Sequence, residues 1–586
     1  MDTIKSFKGY GKVDVLEQQA FQKKTRRRLL LIIISCVVLL AVLIAAVVGT
    51  VIRNRRTDSS GDDGTPSSST SPAQSLKMVC SFTQYPDACF SSISSLQKGS
   101  NGTDPEKIFV LSLQVALDAL SKLAEIPASY SSRINGNAAT KAALEDCSAL
   151  FDDAIDRLND TISSATNSGS IAKLISQTTV DDIKTWLSAA MTDQESCFDG
   201  LAEINGTAAI VEDIRGLAKN STEFISNSLA IVTKLFSILS DLKIPIHRRL
   251  LESGNGGAWP EWMGVAERRL LQEAKTTPNV VVAADGSGDY KTIGEAIKAA
   301  PIKNTSRFVI YVKAGTYMEN VAVDKKVWNV MIYGDGMTET VVSGSLNFID
   351  GTPTFSTATF AAVGSGFIAK AIGFKNTAGA EKHQAVAFRS GSDKSVFYQC
   401  LFDGFQDTLY AHSNRQFYRE CTITGTIDFI FGNAAVVFQG CKIQPRQPLA
   451  SQFNTITAQG KVDKNQNTGI SIQKCTIAAL DALTAQTYLG RPWKPFSTTI
   501  VMQSSIGSFL NPNGWIEWLI GVEPASTIFY AEYSNTGPGS DVSKRVNWTG
   551  CHPAVTAAQA SVYTVGSFID GSSWLDDANV AYDSSL

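Results

Sequence analysis

Histidine is scarce in this sequence: His247, His383, His412 and His552 are its four. A Ser-His-Asp hydrolase would need one of them. His383, beside Gln384, is the nearest to the polar motifs below, and as a strand residue facing away from Gln384 it reads as structural. Charge of one sign is also missing. The 52 Lys and Arg against 55 Asp and Glu leave a formal −3. No basic field therefore points to nucleic acid. No dense Asp/Glu run is present to gather calcium, and neither a metal nor another cofactor is expected.

At 586 residues the chain is too long for one domain. Residues 1–28 form a basic tail with Lys23, Lys24, Arg26, Arg27 and Arg28 at its end. Leu29 to Ile52 is a 24-residue run without charge, long enough to span a bilayer as a single helix. A signal-anchor with the N-terminus inside fits it better than a cleaved signal, though Arg53, Arg55 and Arg56 blur the charge asymmetry. Residues 53–74 include a tether rich in Ser, Thr, Gly, Asp and Pro. Asn101, Asn159, Asn205, Asn220, Asn304 and Asn547 all lie beyond the span in glycosylation triplets.

Residues 75–241 repeat apolar positions at helical spacing, as in Val110, Leu113, Leu117 and Leu120. They predict an all-α antiparallel bundle. Its four cysteines suggest two disulfides, Cys80 with Cys89 and Cys147 with Cys197. No catalytic constellation shows in this stretch. Residues 242–275 read as a Gly-rich linker. It carries one tetrapeptide twice, Arg248-Arg249-Leu250-Leu251 and Arg268-Arg269-Leu270-Leu271. Duplicated dibasic sites on an exposed loop suit a processing protease.

From 276 to 586 the pattern is β, with Thr292 to Ala300 as one short cap helix. Cys400, Cys421 and Cys441 follow one another at 21 and 20 residues, and Cys475 continues the series. A repeat near 20 residues made of short strands means a solenoid. One adjacent pair, Cys421 with Cys441, is open to bridging. The most informative stretch is Gly425 to Gly432, which sets Asp428 inside an apolar, aromatic strand. A buried carboxylate is kept either for structural pairing or for chemistry. Asp407 lies 21 residues upstream, and Gln384 lies 22 before Gln406. Stacked about 4.8 Å apart on successive coils, these residues form a column of two amides and two carboxylates.

Gly315–Asn320, His383–Ala387, Gly404–Leu409, Ile427–Gly432 and Leu489–Trp493 together resemble the plant pectin methylesterase family. The resemblance covers nearly all of 276–586. The bundle resembles pectin methylesterase inhibitor proteins, less specifically. The resemblance implies a right-handed parallel β-helix with a groove for methyl-esterified homogalacturonan. It implies Asp428 as nucleophile, Asp407 as acid and base, and Gln406 as oxyanion stabiliser. Thr354, Gln384, Arg491 and Trp493 are implied at the substrate, with Phe431 as an aromatic wall. Implied partners are pectin, proteinaceous inhibitors and a subtilisin-like processing protease; the implied destination is the cell wall, reached through a membrane-anchored precursor.

The chemistry agrees. A nucleophilic carboxylate must be kept charged and aimed, which a bidentate Arg491 would do. Asp407, with no Arg of its own, would be pushed up by its charged neighbour and start protonated. A β-helical glycosidase also uses paired carboxylates, but the amides and the Arg suit acyl transfer better. A calcium-dependent lyase and a catalytically inactive pectin-binding or inhibitor protein are the other readings. Methanol release without chain shortening separates the esterase from all of them. A bundle tethered in cis is further expected to cover the groove until the linker is cut.

Overall fold

The computed structural model describes residues 72–96, 105–134, 137–167, 177–241 and 277–586. The expected membrane span at 29–52, the doubled Arg-Arg-Leu-Leu sites and Asn101 lie outside them. Among the described residues no helix is long and apolar enough to cross a membrane. The bundle and the β region fall in one unit, Thr70–Leu586.

Among the described residues seven helices form the N-terminal part: α1 (Pro72–Cys80), α2 (Pro86–Leu96), α3 (Pro105–Ala124), α4 (Ile126–Ser131), α5 (Ala138–Asn167), α6 (Gln177–Ala202) and α7 (Ala208–Asp241). The first three each begin on proline, whose fixed φ and missing N–H suit the first helical position. Four long helices, α3, α5, α6 and α7, bury one apolar core that includes Phe109, Leu113, Leu144, Phe151, Leu187 and Leu229. Cys80 bridges Cys89, closing the α1–α2 hairpin, and Cys147 bridges Cys197, tying α5 to α6.

The C-terminal part winds into three sheets whose strand pairs are all parallel. The first sheet runs β1 (Val280–Val282), β2 (Phe308–Val312), β5 (Val330–Tyr333), β8 (Ile368–Lys370), β11 (Ser395–Tyr398), β14 (Arg415–Arg419), β17 (Ala435–Gln439), β20 (Gly469–Gln473), β23 (Thr498–Met502), β25 (Phe529–Tyr533) and β26 (Cys551–His552). The second holds β3 (Gly315–Met318), β6 (Thr340–Gly344), β9 (Gly373–Asn376), β12 (Leu401–Asp403), β15 (Thr422–Gly425), β18 (Lys442–Pro445), β21 (Thr476–Ile477) and β24 (Ser505–Ile506). The third holds β4 (Val321–Val323), β7 (Phe360–Ala362), β10 (Phe388–Ser390), β13 (Leu409–Ala411), β16 (Ile430–Gly432), β19 (Asn454–Gln459) and β22 (Thr487–Pro492). Each full coil gives one strand to each sheet, which is a parallel β-helix. Inside, aromatic rings stack from coil to coil: Phe397 on Tyr418 at 4.4 Å and Tyr418 on Phe438 at 4.6 Å. Helix α8 (Ile293–Lys298), capped by Thr292, buries Ile293, Ala296 and Ile297 against the first coil. On the outer face of the first sheet, Ile569, Trp574, Leu575 and Val580 from the C-terminus cover Ile368, Val396, Phe417 and Val437.

The cysteine ladder is real but unbridged. Cys400, Cys421, Cys441 and Cys475 are buried free thiols, so the expected Cys421–Cys441 pair is corrected. The reason is geometric. The residue before each cysteine, Gln399, Glu420, Gly440 or Lys474, turns the corner between the first and second sheets at φ 53 to 64°. Identical corners aim the thiols the same way rather than at each other. Each Sγ donates to a carbonyl of the preceding coil, as Cys421 does to Phe397 at 3.4 Å and Cys475 to Phe438 at 3.4 Å. Of the glycosylation triplets, Asn159, Asn205, Asn220 and Asn547 are exposed and Asn304 is half-buried.

Candidate active site

Third-sheet strands β10, β13, β16, β19 and β22 form the floor. Their register sets Arg389, Tyr410, Phe431, Ala458 and Arg491 side by side across the coils. The carboxylates enter from the bends just before these strands. Asp428 is therefore not inside a strand, as the sequence suggested; it sits between β15 and β16 with φ 51°, and Asp407 sits likewise before β13 with φ 61°. A left-handed backbone costs an L-residue about 1–3 kcal/mol, and such residues cluster at functional sites. The turn aims both side chains out of the floor. Asp407 N–H donates to Ile427 O at 3.0 Å, which ties the two bends together one coil apart.

Asp428 is 5 % exposed and fully engaged. Arg491 Nε donates to Oδ1 at 2.9 Å and Nη2 to Oδ2 at 2.6 Å. Thr455 Oγ1 donates to Oδ1 at 2.5 Å and accepts the Asp428 N–H at 2.9 Å. Ala458 separates Arg491 from Phe431 in the register, and its small side chain leaves the guanidinium room to reach across. Trp518 stacks on Arg491 from the other side, 4.2 Å from ring centre to Cζ. Asp407 is also buried but makes no ion pair among the described residues. Burial first, then the charges of Asp428 and Glu203, push its carboxyl well above the usual range, against the opposing pull of Arg491. One carboxylate is thus clamped by a cation and its neighbour is disposed to keep its proton.

A cavity of about 420 Å³ collects Gln384, Gln406, Asp407, Asp428, Phe431, Arg491 and Trp493 in one place. Thr354 does not join them. It is buried in the turn Thr354–Ser356 and faces Glu203 of the bundle. His383 is not a strand residue either: it ends a short turn at φ 57° and is exposed, away from the chemistry. An aromatic strip leads from Phe355 through Tyr410 and Phe431 to Trp493 and Trp518, with neighbouring ring centres 4.1 to 6.3 Å apart. Among the described residues, no group of three or more His, Cys, Asp or Glu could hold a metal ion.

The bundle supplies the roof. Asp199, Ala202 and Glu203, at the end of α6, line the same cavity. Lys494, just after the floor strand β22, holds Glu195 at 2.8 Å and Asp199 at 2.5 Å. Ser196 Oγ lies 2.9 Å from His412 Nε2 and 3.4 Å from the Tyr410 hydroxyl. Further along α6, Asp182 accepts from Arg415 at 2.6 Å, and Thr192 Oγ1 accepts from Asn433 at 2.8 Å. Burial lifts Asp199 to about 6, with Lys494 opposing. It lifts Glu203 to about 7, with Thr354 opposing. Thr455, Ala458, Trp518, Lys494 and the roof residues escaped the sequence reading. Of these only Lys494 carried a local signal, as the residue directly after Arg491-Pro-Trp493.

A sequence profile described as Pectinesterase matches residues 279–572, and one described as Plant invertase/pectin methylesterase inhibitor matches residues 74–231. The chain is 61% identical over 598 aligned positions to Pectinesterase 3 of Phaseolus vulgaris, covering 100% of both. It is 57% identical to Pectinesterase 1 of Arabidopsis thaliana, covering 99% of each. Among solved structures, a pectin methylesterase from carrot is 52% identical with a TM-score of 0.52, covering 54% of this chain and 100% of that one.

Proposed function

The chain belongs to the pectinesterase family, and on that premise we propose that it hydrolyses the methyl esters of homogalacturonan by the residues gathered in the roofed cavity. The observation that carries the assignment of roles is the contrast between the two carboxyls. Asp428 is held by Arg491 and Thr455, whereas Asp407 is buried without a cation of its own and raised.

Asp428 attacks the ester carbonyl, and the amides of Gln406 and Gln384 steady the oxyanion. Asp407 gives its proton to the departing methoxide, which leaves as methanol. The ionised Asp407 then takes a proton from water. The hydroxide so formed cleaves the Asp428 anhydride and leaves a free galacturonate carboxyl. Phe431 and Trp493 offer apolar faces to sugar rings. Thr354, buried under Glu203, serves the substrate only after the bundle has left.

The bundle acts as an inhibitor in cis. Support comes from α6 sitting across the floor and from the inhibitor-family match at 74–231. Cutting at Arg248–Leu251 or Arg268–Leu271 by a subtilisin-like protease frees the groove. The charge-free run at 29–52 and the exposed Asn triplets support a secretory route through a membrane-anchored, glycosylated precursor to the cell wall, where separate inhibitor proteins can occupy the vacated face.

The test is methanol release from highly esterified pectin by the cleaved chain, with chain length followed in parallel. Methanol without shortening is expected, and Asp428→Asn should abolish it while the circular dichroism spectrum holds. Gln406→Ala should lower kcat by about 10²-fold with little change in KM. Shortened chains, or a folded Asp428→Asn variant that still releases methanol, would overturn the reading.

A further inference from the structure

The roof over the carboxylates is incomplete. A cavity of about 420 Å³ remains between α6 and the floor, within the span of about 300–1,000 Å³ typical of small-molecule sites. It also reaches solvent. Ala202 at its rim is exposed, and Gln384, Gln406, Trp493, Trp518 and Glu203 are each partly exposed. The middle of the aromatic strip is closed. Tyr410 and His412 are 5 % and 2 % exposed beneath Ser196, and Phe355 packs edge-on against both. A polymer must lie along the strip to bring one of its esters to Asp428. A small ester needs the cavity alone.

The groups beneath the roof are already assembled. Arg491 grips Asp428 at 2.6 to 3.1 Å with the bundle in place. Among the described residues no bundle side chain hydrogen-bonds to Asp407 or Asp428. The bundle's polar contacts to the β-helix fall elsewhere, on Lys325, Ser356, His412, Arg415, Asp463 and Lys494 among others. Its nearest carboxyl, Glu203, faces Thr354. Docking therefore removes the room for a chain without dismantling the reacting groups.

We infer that the uncleaved chain is a working esterase for small carboxylic esters and is closed only to polymeric ones. The inference rests on the roles given above to Asp428 and Asp407. The step is the same hydrolysis. An Asp428 oxygen bonds to the acyl carbon, and the acyl–oxygen bond breaks. The alcohol leaves with the proton of Asp407. Water then adds to the anhydride, its proton returns to Asp407, and the acid departs. One ester and one water give one acid and one alcohol, with no other reactant.

The experiment uses the full chain with both Arg-Arg pairs changed to Ala-Ala, beside the wild-type chain cut in the linker and freed of its bundle. 4-Nitrophenyl acetate is the small probe and highly esterified pectin the large one. The uncleaved form should release methanol from pectin at least 100-fold more slowly than the cut form, yet turn over the small ester within about threefold of it. Asp428→Asn in the uncleaved chain should abolish the small-ester reaction. Ala202→Trp, at an exposed helix end, should narrow the mouth and slow that reaction at least tenfold in the uncleaved chain. A parallel loss on both probes would overturn the inference, as would small-ester turnover that survives Asp428→Asn or ignores Ala202→Trp. A cut enzyme that demethylates pectin but ignores the small ester would overturn it while leaving the pectinesterase reading intact. A cut enzyme inert on pectin would sink that reading itself.

Discussion

The helical bundle and the β-helix solve the problem of staying folded in opposite ways. The β-helix relies on repetition: each coil is covered by the next, its rings stack in columns, and its ladder of thiols needs no bridge. The bundle has no repeat to lean on. It fixes its helices with two disulfides and directs many polar side chains of α6 outward, to the other domain. The difference shows where chemistry can be placed. In the β-helix, reactive side chains stand where the coil bends, at Asp407 and Asp428, and the regular strands beneath hold them in register. In the bundle, the polar residues of one helix face serve recognition alone.

The largest effect that would sharpen this contrast belongs to Arg491. Removing it strands the buried Asp428 without its partner, a loss of about 3–5 kcal/mol for a buried pair. Arg491→Ala should therefore cost the cut enzyme about 10²–10³-fold in kcat on pectin, whereas Glu203→Gln in the bundle should leave the cut enzyme unchanged. A fall caused by Glu203→Gln after cutting and separation would break the division of labour.

Next comes the staple. Changing Cys147 and Cys197 to Ser should destabilise the bundle by about 2–5 kcal/mol. In calorimetry of the uncleaved chain the bundle should then melt at a lower temperature, while the β-helix transition stays in place. A shared downward shift of both would show that the two regions fold as one.

A smaller effect concerns docking. Lys494→Ala takes from Glu195 and Asp199 their one cation on the β-helix and leaves only the bundle's own Arg215, at 2.9 and 4.0 Å, between them. The uncleaved variant should gain activity on pectin by about tenfold or more. Unaltered silence would mean that the remaining contacts, those of Lys325, Arg415, Asn433 and Asp463 among them, hold the roof without it.

The smallest is graded by pH. Asp146 and Asp199 are raised to about 6 and Glu203 to about 7 in the docked form, burial being the main cause in each. Released, they return towards the ordinary carboxylate range near 4. The docked form therefore holds the extra protons. Docking is fully favoured below about pH 4 and weakens as pH rises through 6 to 7. Glu195 works the other way: burial opposes its charge, but Lys494 and Arg215 hold it below the usual range. His412 also works the other way, buried beneath Ser196 and pushed down to about 3 by that burial; the three raised groups outnumber these two. The uncleaved chain's activity on pectin, relative to the cut enzyme at each pH, should rise by a few fold between pH 5 and 7.5. A falling ratio would reverse the argument.

Sequence was a good guide wherever the signal was local or periodic. The spacing of Cys400, Cys421 and Cys441 announced the coil, and the apolar setting of Asp428 marked it for pairing or chemistry. The helical period and the four bundle cysteines were equally plain, and both disulfides form as expected. What escaped depended on backbone twist or on distant coils. Nothing in Ile427-Asp428-Phe429 says that its middle residue turns left-handed rather than continuing a strand. Thr455 meets Asp428 from 27 residues away, and Ala458 matters for being small. The Cys421–Cys441 bridge failed for a related reason: proximity along a ladder was visible, and the common direction of its thiols was not.

That ladder has a consequence in time. The four ladder thiols and four bridged cysteines share one chain that, on the secretory reading, matures among oxidants. The order of synthesis keeps them apart. Cys80, Cys89, Cys147 and Cys197 emerge before the ladder, and roughly 200 residues separate the last of them from Cys400. At about 5–20 residues per second that is a lead of about 10–40 s, comparable with the faster end of disulfide formation. The bundle can thus be stapled before a ladder thiol exists to compete. Moving the bundle to the C-terminus by circular permutation would abolish the lead, and scrambled pairs between the two sets, read by mass spectrometry, are the expected cost.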